Sequence, residues 1–157
     1  MNEVLFVQIK GGWERGKETR KGVIIVCADN SRGDVLRTIN LAKKVYPEHL
    51  SIIATFGGAY LLDGGGKGTP EQLYVLEQIE FAMRKFSPGD VVLFTHQGCG
   101  KIETQFKNEE EEKEFHILIH EIAKKEIKAL FSSQLGFVHL YPEFRKGKII
   151  INQLIGI

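Results

Sequence analysis

Short and almost uninterrupted apolar runs alternate along this chain with segments in which apolar residues recur every three to four positions. A strand buried on both faces of a parallel sheet has the continuous character, whereas helical spacing marks the amphipathic elements between such strands. The pattern therefore predicts an α/β fold, with a mostly parallel central sheet of four to five strands and helices on both faces. We expect the C-terminal strand to be an antiparallel edge strand, because only a short turn precedes it. The predicted strands span residues 22–28, 50–56, 91–96, 136–141 and 147–155.

Three helices are predicted between these strands. The first spans residues 31–46 and has Asn30 or Ser31 as its capping residue. The second begins at Thr69, where the stretch Thr-Pro-Glu-Gln combines a capping box with a proline in the first turn. The third spans residues 108–131 and carries four glutamates in its first turn, where the helix macrodipole favours negative charge. Each helix therefore connects two successive strands, as parallel pairing requires.

Length and charge narrow the classes of protein that this chain can belong to. We expect one domain over residues 1–157, with residues 1–21 as an N-terminal strand or arm. A formal charge of +1 gives no general attraction to nucleic acid, and no apolar stretch reaches the length of a membrane span. The charged start, soon interrupted by glycines, is not typical of a signal peptide. We therefore expect a cytoplasmic protein without nucleic-acid or membrane partners, in which thiols usually stay reduced.

Metal-ligating residues are concentrated where two of the predicted strands end. Cys27 ends the first strand, and His96 and Cys99 follow the third. In open α/β sheets, sites form beyond the carboxyl ends of the strands, so the three side chains converge if the two strands are neighbours. Two thiolates and one imidazole suit Zn²⁺ better than Mg²⁺ or Ca²⁺, and they leave a fourth position for water or for Asp29. The alternative is that the cysteines are inert, since a cysteine at a strand end is commonly a core residue.

The arrangement resembles the β-class carbonic anhydrases. That family carries Cys-x-Asp-x-Arg after its first central strand and His-x-x-Cys-Gly after its third, and the second motif is intact at residues 96–100. The resemblance covers the chain roughly from residue 22 to the end. It implies that Asp29 either accepts a hydrogen bond from zinc-activated water or closes the fourth coordination position, and that the protein is a homodimer or a higher homo-oligomer. The zinc ligands that it implies are Cys27, His96 and Cys99.

Two departures from the family's motifs concern its catalytic acidic and basic pair. The family places the arginine two residues after the aspartate, whereas Arg32 follows Asp29 by three residues. Near the start of a helix, one extra residue turns a side chain by about 100°. In addition, Thr-Phe-Gly-Gly-Ala stands where the family has Arg-Asn-Ala-Gly. Asp29 and Arg32 remain the predicted catalytic residues.

The sequence therefore predicts a zinc-dependent lyase that hydrates CO₂ to bicarbonate. One alternative is a non-catalytic or regulatory zinc-binding protein on the same scaffold. Another is hydrolysis of a different small heterocumulene, such as CS₂ or COS. A third is a redox or thiol protein that uses Cys27 and Cys99 without a metal.

Other patterns carry weaker functional signals. The glycine-rich residues 64–70 resemble a phosphate-binding loop, but no serine or threonine follows the lysine, so a mobile loop or lid is the better interpretation. His116 and His120 share a helix face with lysines and are predicted to be solvated. His139 is interpreted as a half-buried structural residue or as a proton shuttle. Trp13 lies in the polar arm, which suggests docking against a partner subunit.

Overall fold

The computed structural model describes residues 3–9, 13–14, 19–62, 68–102, 104–132 and 134–157. Within these ranges the strands are β1 (Leu5–Gln8), β2 (Lys21–Val26), β3 (His49–Ala54), β4 (Asp90–Phe94), β5 (Gly136–Arg145) and β6 (Lys148–Ile155). The helices are α1 (Asp34–Val45), α2 (Pro70–Phe86) and α3 (Glu109–Leu130), and a short 3₁₀ helix covers Gly58–Leu62. The described strands form one sheet in the order β1-β6-β5-β4-β2-β3.

The sheet has the predicted α/β character. Strands β2, β3, β4 and β5 pair in parallel, and β6 runs antiparallel to β5. The core has two layers, with α1 packed in one and α2 in the other, and α3 contributes Ile119 to the first and Ala123 and Ile127 to the second. The predicted mostly parallel sheet with helices on both faces is therefore confirmed. The helical residues in these two core layers include Val35, Ile39 and Ala42 on one face and Val75, Ile79, Ala123 and Ile127 on the other.

The sheet has one strand more than predicted, and this strand changes the edge. Strand β1 pairs antiparallel with β6, with Leu5 opposite Ile155. The edge strand at this end of the sheet is therefore β1, and the C-terminal strand β6 lies between β1 and β5. A run of four residues is too short to show the alternation that distinguishes a strand from an arm, which is why the sequence left residues 1–21 as either.

The order of the strands determines where a site can form. Strand β3 lies on one side of β2 and β4 lies on the other. Strands β2 and β4 pair in parallel, with Ile25 opposite Leu93. Their carboxyl ends therefore meet at a topological switch point, where open α/β sheets place their ligand sites. The two strands that precede Cys27 and His96 are neighbours.

Helix α1 begins at Asp34 rather than at residue 31. Its N-cap is Gly33, which has a φ of 79° and provides no side-chain cap. Asn30 compensates from outside the helix, because its Oδ1 accepts a hydrogen bond from the Leu36 N–H at 2.9 Å. The chain thus makes an extra turn before the helix starts, and Asp34 enters the core as the first helical residue.

Helices α2 and α3 begin as predicted. Thr69 Oγ1 accepts a hydrogen bond from the Gln72 N–H at 3.2 Å, and Asn108 Oδ1 accepts one from the Glu111 N–H at 2.8 Å. Both caps satisfy N–H groups that a helix start otherwise leaves unpaired. None of the helices in the described ranges combines the length and the apolar character needed to cross a bilayer.

Trp13 lies in the core of its own chain. Its ring packs with its centroid 5.9 Å from that of Tyr46, and its Nε1–H donates to the Tyr46 hydroxyl at 3.4 Å. Only 7% of the residue is exposed. The prediction that Trp13 docks against a partner subunit is therefore wrong, because this part of the arm folds back over the end of α1. Residues 10–12 and 15–18 of the arm lie outside the described ranges.

Candidate metal centre

Cys27, His96 and Cys99 come together at the carboxyl ends of β2 and β4. All three are buried, with 1%, 4% and 7% of their surfaces exposed. The two Sγ atoms lie 4.0 Å apart, and the potential ligand atoms of the three residues all lie within 4.8 Å of one another. Within the described ranges, no other cluster of three or more His, Cys, Asp or Glu side chains has this geometry. The cluster offers two sulfurs and one nitrogen to a metal ion.

A glycine turn after β3 closes over the same strand ends. The Gly57 N–H donates to Cys27 Sγ at 3.4 Å. Gly58, with a φ of 55°, lies so close to both strands that a Cβ would be 2.5 Å from the Phe94 carbonyl oxygen and 3.1 Å from the Cys27 nitrogen. This close approach is possible only without a side chain. The turn therefore gives the Cys27 sulfur a backbone donor and fixes its surroundings.

His96 is held by a carboxylate that was not among the predicted site residues. Its Nδ1 lies 2.6 Å from Asp34 Oδ2, while its buried Nε2 makes no hydrogen bond to any described residue. Burial acts to lower the pKa of His96, but the Asp34 hydrogen bond and the neighbouring Cys27 raise it to about 9. Asp34 could not be identified from the sequence, because an aspartate in the first turn of a helix is ordinarily explained by the macrodipole.

The two thiols differ in acidity because they hydrogen-bond to each other. The contact with Cys99 lowers the pKa of Cys27, against the opposing effect of burial. The same contact, together with burial, raises the pKa of Cys99. One sulfur is therefore a ready anionic ligand, whereas the other must release a proton before it can bind a metal.

Asp29 lies at a pocket beside the cluster. The pocket has a volume of about 360 Å³, and its lining also includes Phe56, Gly100 and Lys101 together with both cysteines. Asp29 Oδ1 accepts a hydrogen bond from the Ser31 N–H at 2.9 Å, and this hydrogen bond lowers the pKa of the Asp29 carboxyl. Asp29 is therefore an anion at the wall of the pocket.

Arg32 points to the other predicted motif instead of to Asp29. Its Nη1 donates to the Gln97 carbonyl oxygen at 3.1 Å, and its guanidinium lies 4.2 Å from the centre of the Phe144 ring. Among the described residues, the Asp29 carboxylate and the Arg32 guanidinium do not form an ion pair. The extra residue between them is absorbed by the turn that ends with the Gly33 N–H donating to the Asn30 carbonyl. Arg32 thus steadies the turn that carries His96 and Cys99.

His116 and His120 are buried, so the prediction that they are solvated is wrong. Both are 0% exposed, and His139 is 4% exposed. His120 Nε2 lies 2.8 Å from Thr95 Oγ1, and its Nδ1 lies 3.0 Å from His139 Nδ1. Burial lowers the pKa of all three histidines, for His139 to about 3. They form a neutral layer between α3 and β5, and they are not part of the Cys-His-Cys cluster.

The glycine-rich segment interpreted as a mobile loop or lid lies mostly outside the described residues, which omit 63–67. Its last residue, Pro70, is the first residue of α2. The described part of the segment therefore belongs to a helix start.

Comparison of the sequence with models of protein families gives no match, and comparison with curated proteins gives no significant match. Comparison of the structure does find solved structures of similar fold. Two are structures of the β-carbonic anhydrase CafD of the filamentous fungus Aspergillus fumigatus, one with a cysteine and one with a glutamate replaced by alanine. The first aligns with a TM-score of 0.53 and 14% identity over 96% of this chain and 99% of that chain. The second aligns with a TM-score of 0.53 and 13% identity over 97% of this chain and 99% of that chain.

A third structure, of tetrameric β-carbonic anhydrases from the filamentous ascomycete Sordaria macrospora, aligns with a TM-score of 0.45 and 13% identity. It covers 90% of this chain and 83% of that chain, and only the two Aspergillus structures are near enough to bear on the fold. At these identities the likeness shows the fold alone. The chain has the fold of the β-carbonic anhydrases, as the resemblance of its motifs implied.

Proposed function

We propose that this chain is a zinc-dependent lyase that hydrates carbon dioxide to bicarbonate. The observation that carries the proposal is the buried cluster of Cys27, His96 and Cys99, which opens onto a pocket at the switch point of the sheet. Two thiols and one imidazole are a donor set that zinc favours, and three protein ligands leave a fourth position for a small molecule. The β-carbonic anhydrase fold supports the same reading.

The geometry of the cluster fits a tetrahedral zinc ion. Two sulfurs bound at about 2.3 Å to one tetrahedral ion lie roughly 3.8 Å apart, and the observed separation of Cys27 and Cys99 is 4.0 Å. His96 Nε2 is buried without a hydrogen-bond partner among the described residues, and it is the nitrogen left for an ion. Other separations within the cluster reach up to 4.8 Å, so the side chains would close by about 1 Å around the ion.

The residues around the cluster have distinct roles in the proposed reaction. A zinc ion held by Cys27, His96 and Cys99 supplies Lewis-acid chemistry, because it makes water acidic enough to act as a nucleophile near neutral pH. Asp29 lies at the pocket wall as an anion, where it can accept a hydrogen bond from the reacting water or occupy the fourth position itself. Arg32 steadies the ligand turn through the Gln97 carbonyl.

The pocket itself matches a small neutral substrate and an anionic product. Phe56 provides an apolar wall, and Lys101 provides a cation beside the cysteines. CO₂ has no charge and is held by apolar contacts, whereas bicarbonate is drawn to a cation. We therefore place the substrate between these two side chains.

Metal analysis followed by a stopped-flow assay of CO₂ hydration tests the proposal. We expect about one zinc ion per chain, hydration well above the rate in buffer, and loss of that activity in Asp29→Ala with zinc retained. Wild-type protein that holds zinc and hydrates CO₂ no faster than buffer would contradict the enzymatic proposal. The same assay with COS and CS₂ tests the other heterocumulenes.

A non-catalytic zinc protein is the second candidate, and one observation favours it. Asp29 and Arg32 do not pair, so Asp29 is free to occupy the fourth position on the metal and close the site. In that case the zinc-loaded protein is inactive, and Asp29→Ala lowers its zinc affinity. In the enzyme, the same substitution removes activity with little loss of zinc.

We propose further that the protein is a homodimer or a higher homo-oligomer and works in the cytoplasm. Phe56, which is 61% exposed at the pocket, and Ile52, which is 45% exposed on the edge strand β3, form an apolar surface that a second chain would cover. Both cysteines are free thiols, as a reducing compartment maintains them. Sedimentation velocity of the wild type and of Phe56→Ser tests the assembly, and a monomeric wild type at micromolar concentration would contradict it.

A further inference from the structure

Asp34 is a buried carboxylate in a place where helices usually present aspartate to water. It is the first residue of α1 and is 0% exposed. An aspartate at a helix start commonly caps its own helix, but here the Asn30 side chain does that by accepting the Leu36 N–H at 2.9 Å. The Asp34 carboxylate is therefore free to turn inward, although burying a charge is unfavourable unless it is paired.

The partner that the carboxylate reaches is the histidine of the metal cluster. Asp34 Oδ2 lies 2.6 Å from His96 Nδ1, and this is the only hydrogen bond found for the carboxylate among the described residues. The contact joins the start of α1 to the end of β4 across 62 residues. The contact uses Nδ1, and Nε2 has no hydrogen-bond partner in the described part of the chain. His96 can therefore offer Nε2 to an ion that is shared with the two cysteines.

A carboxylate on the far nitrogen of a histidine has a definite effect on how the near nitrogen binds. The carboxylate accepts the proton of Nδ1, which fixes the tautomer with the lone pair on Nε2. It also fixes the rotation of the ring and increases the basicity of the ligand nitrogen. Loss of such a partner typically lowers metal affinity by about 10- to 100-fold.

We propose that Asp34 is a positioning residue that presents His96 Nε2 to the metal ion. The inference rests on the proposed metal site, but it does not depend on the reaction that the site performs. Asp34 touches neither the substrate nor the ion, and it acts only through the imidazole. A mere structural role, as an anchor of α1 to the sheet, would lower the stability of the fold and leave the affinity of the folded protein for zinc unchanged.

Zinc affinity, measured by competition with a chelator, distinguishes the two roles. Asp34→Ala should bind zinc about 10- to 100-fold more weakly than the wild type. Asp34→Asn should lose less, because the amide oxygen can still accept the Nδ1 proton without the negative charge. The matched control is Asp90→Asn. Asp90 is a buried carboxylate at the other end of β4 that accepts a hydrogen bond from the Tyr46 hydroxyl at 2.8 Å, so this variant should lose stability and keep its zinc affinity within about 2-fold.

The tautomer of His96 gives a second readout that needs no substitution. In zinc-loaded wild-type protein, long-range ¹H–¹⁵N NMR should show the His96 proton on Nδ1 and the metal on Nε2. A metal on Nδ1 would overturn the proposal, and this measurement remains decisive if the Asp34 variants fail to fold.

The outcomes separate this inference from the proposed function. Wild-type affinity in both Asp34 variants, or an equal loss in Asp90→Asn, overturns the positioning role while the zinc site stands. Zinc binding with the expected losses but no CO₂ hydration leaves the positioning role intact and removes the proposed activity. A wild-type protein that binds no zinc overturns both.

Discussion

A metal ion that enters the cluster meets three side chains in three different protonation states. The hydrogen bond from Cys99 lowers the pKa of Cys27 enough to make it a thiolate at neutral pH, while Cys99 remains a thiol. His96, with a pKa of about 9, carries a proton on both nitrogens at neutral pH. Metal binding must displace the protons that occupy the ligand positions.

We predict that zinc loading at pH 7 releases about two protons per chain, one from Cys99 and one from His96 Nε2. Above the pKa of His96, about 9, its proton is already gone and the release should fall toward one. Titration calorimetry in buffers of different ionisation enthalpy measures the number. Release of only about one proton at pH 7 would mean that His96 is neutral in the zinc-free protein.

The buried histidines make a second residue-level prediction, which concerns acid. Burial and Lys124 lower the pKa of His139 to about 3, whereas an unfolded histidine has a pKa of about 6.5. Between pH 6.5 and about pH 3 the unfolded chain binds more protons at this position than the folded chain. The contribution of His139 to the free energy of unfolding is therefore fully present above about pH 6.5 and is lost as the pH falls below it.

Replacing His139 should flatten this dependence. In His139→Gln, the free energy of unfolding should fall less steeply below about pH 6.5, by up to about 1.4 kcal/mol per pH unit. Urea unfolding of zinc-free protein from about pH 7.5 to about pH 5 measures both slopes without a contribution from zinc loss. Equal slopes for the two proteins would show that His139 is not held neutral in the folded state.

At the scale of elements, the turn after β3 packs closely against both strands that carry the cluster. Gly58 combines a φ of 55° with a close approach to the Phe94 carbonyl and the Cys27 nitrogen. Gly147, in the hairpin between β5 and β6, has a φ of 75° and nothing within 4 Å of an added Cβ. Both glycines have a positive φ, but only Gly58 would bring an added Cβ into steric conflict. Alanine substitutions at the two positions therefore distinguish the cost of backbone strain from the cost of the clash.

We predict that Gly147→Ala costs about 1–2 kcal/mol of stability and that Gly58→Ala costs more, roughly 3 kcal/mol or above. Only Gly58→Ala should also weaken zinc binding, because its Cβ displaces the end of β2 or of β4. Denaturant unfolding and zinc competition on the two variants provide the comparison. A Gly58→Ala protein as stable as Gly147→Ala would show that the turn can move away at little cost.

The sequence predicted the elements well where the signal is local. The continuous apolar runs of β2 and β4 and the caps at Thr69 and Asn108 depend on neighbouring residues, and the structure has them where expected. The meeting of Cys27 with the turn after β4 was predicted on the condition that β2 and β4 are neighbours, and the pairing of these strands meets that condition. The strand order itself could not be predicted, because it depends on contacts between residues that are distant in sequence.

The errors arose where the deciding contacts are distant in sequence. His116 and His120 share a face of α3 with Lys113 and Lys124, which suggested solvent. In the structure the Lys113 ammonium reaches Glu143 at 3.4 Å and the Lys124 ammonium reaches the Ile157 carbonyl at 2.9 Å. Long lysine stems can cross a buried face in this way, and only the positions of β5 and β6 reveal it.

The Asp34–His96 contact could not be predicted for the same reason. Its two residues are 62 positions apart, and it needs the extra turn at Gly33 that starts α1 at Asp34. The same turn separates Arg32 from Asp29, which the spacing of the motif indicated as a possible outcome but did not determine. In the resulting arrangement Asp34 contacts His96, and Arg32 contacts the Gln97 carbonyl instead of Asp29.

For the whole molecule, a metal ion bound by Cys27, His96 and Cys99 would cross-link the ends of β2 and β4. We predict that zinc at about 1,000-fold excess over its dissociation constant raises the free energy of unfolding by about 4 kcal/mol. Cys99→Ser should lose most of this increment. Thermal unfolding with and without a chelator measures the effect, and an equal zinc increment in the wild type and in Cys99→Ser would place the ion elsewhere.

The sulfurs of Cys27 and Cys99 are separated by 72 positions in the chain, and they meet only because β2 and β4 pair with Ile25 opposite Leu93. A slip of one residue in that pairing would turn Cys27 to the opposite face of the sheet. A metal ion bound by the cluster would therefore stabilise only those chains in which β2 and β4 are correctly aligned. The yield of correctly folded protein should then rise with the zinc supply during expression.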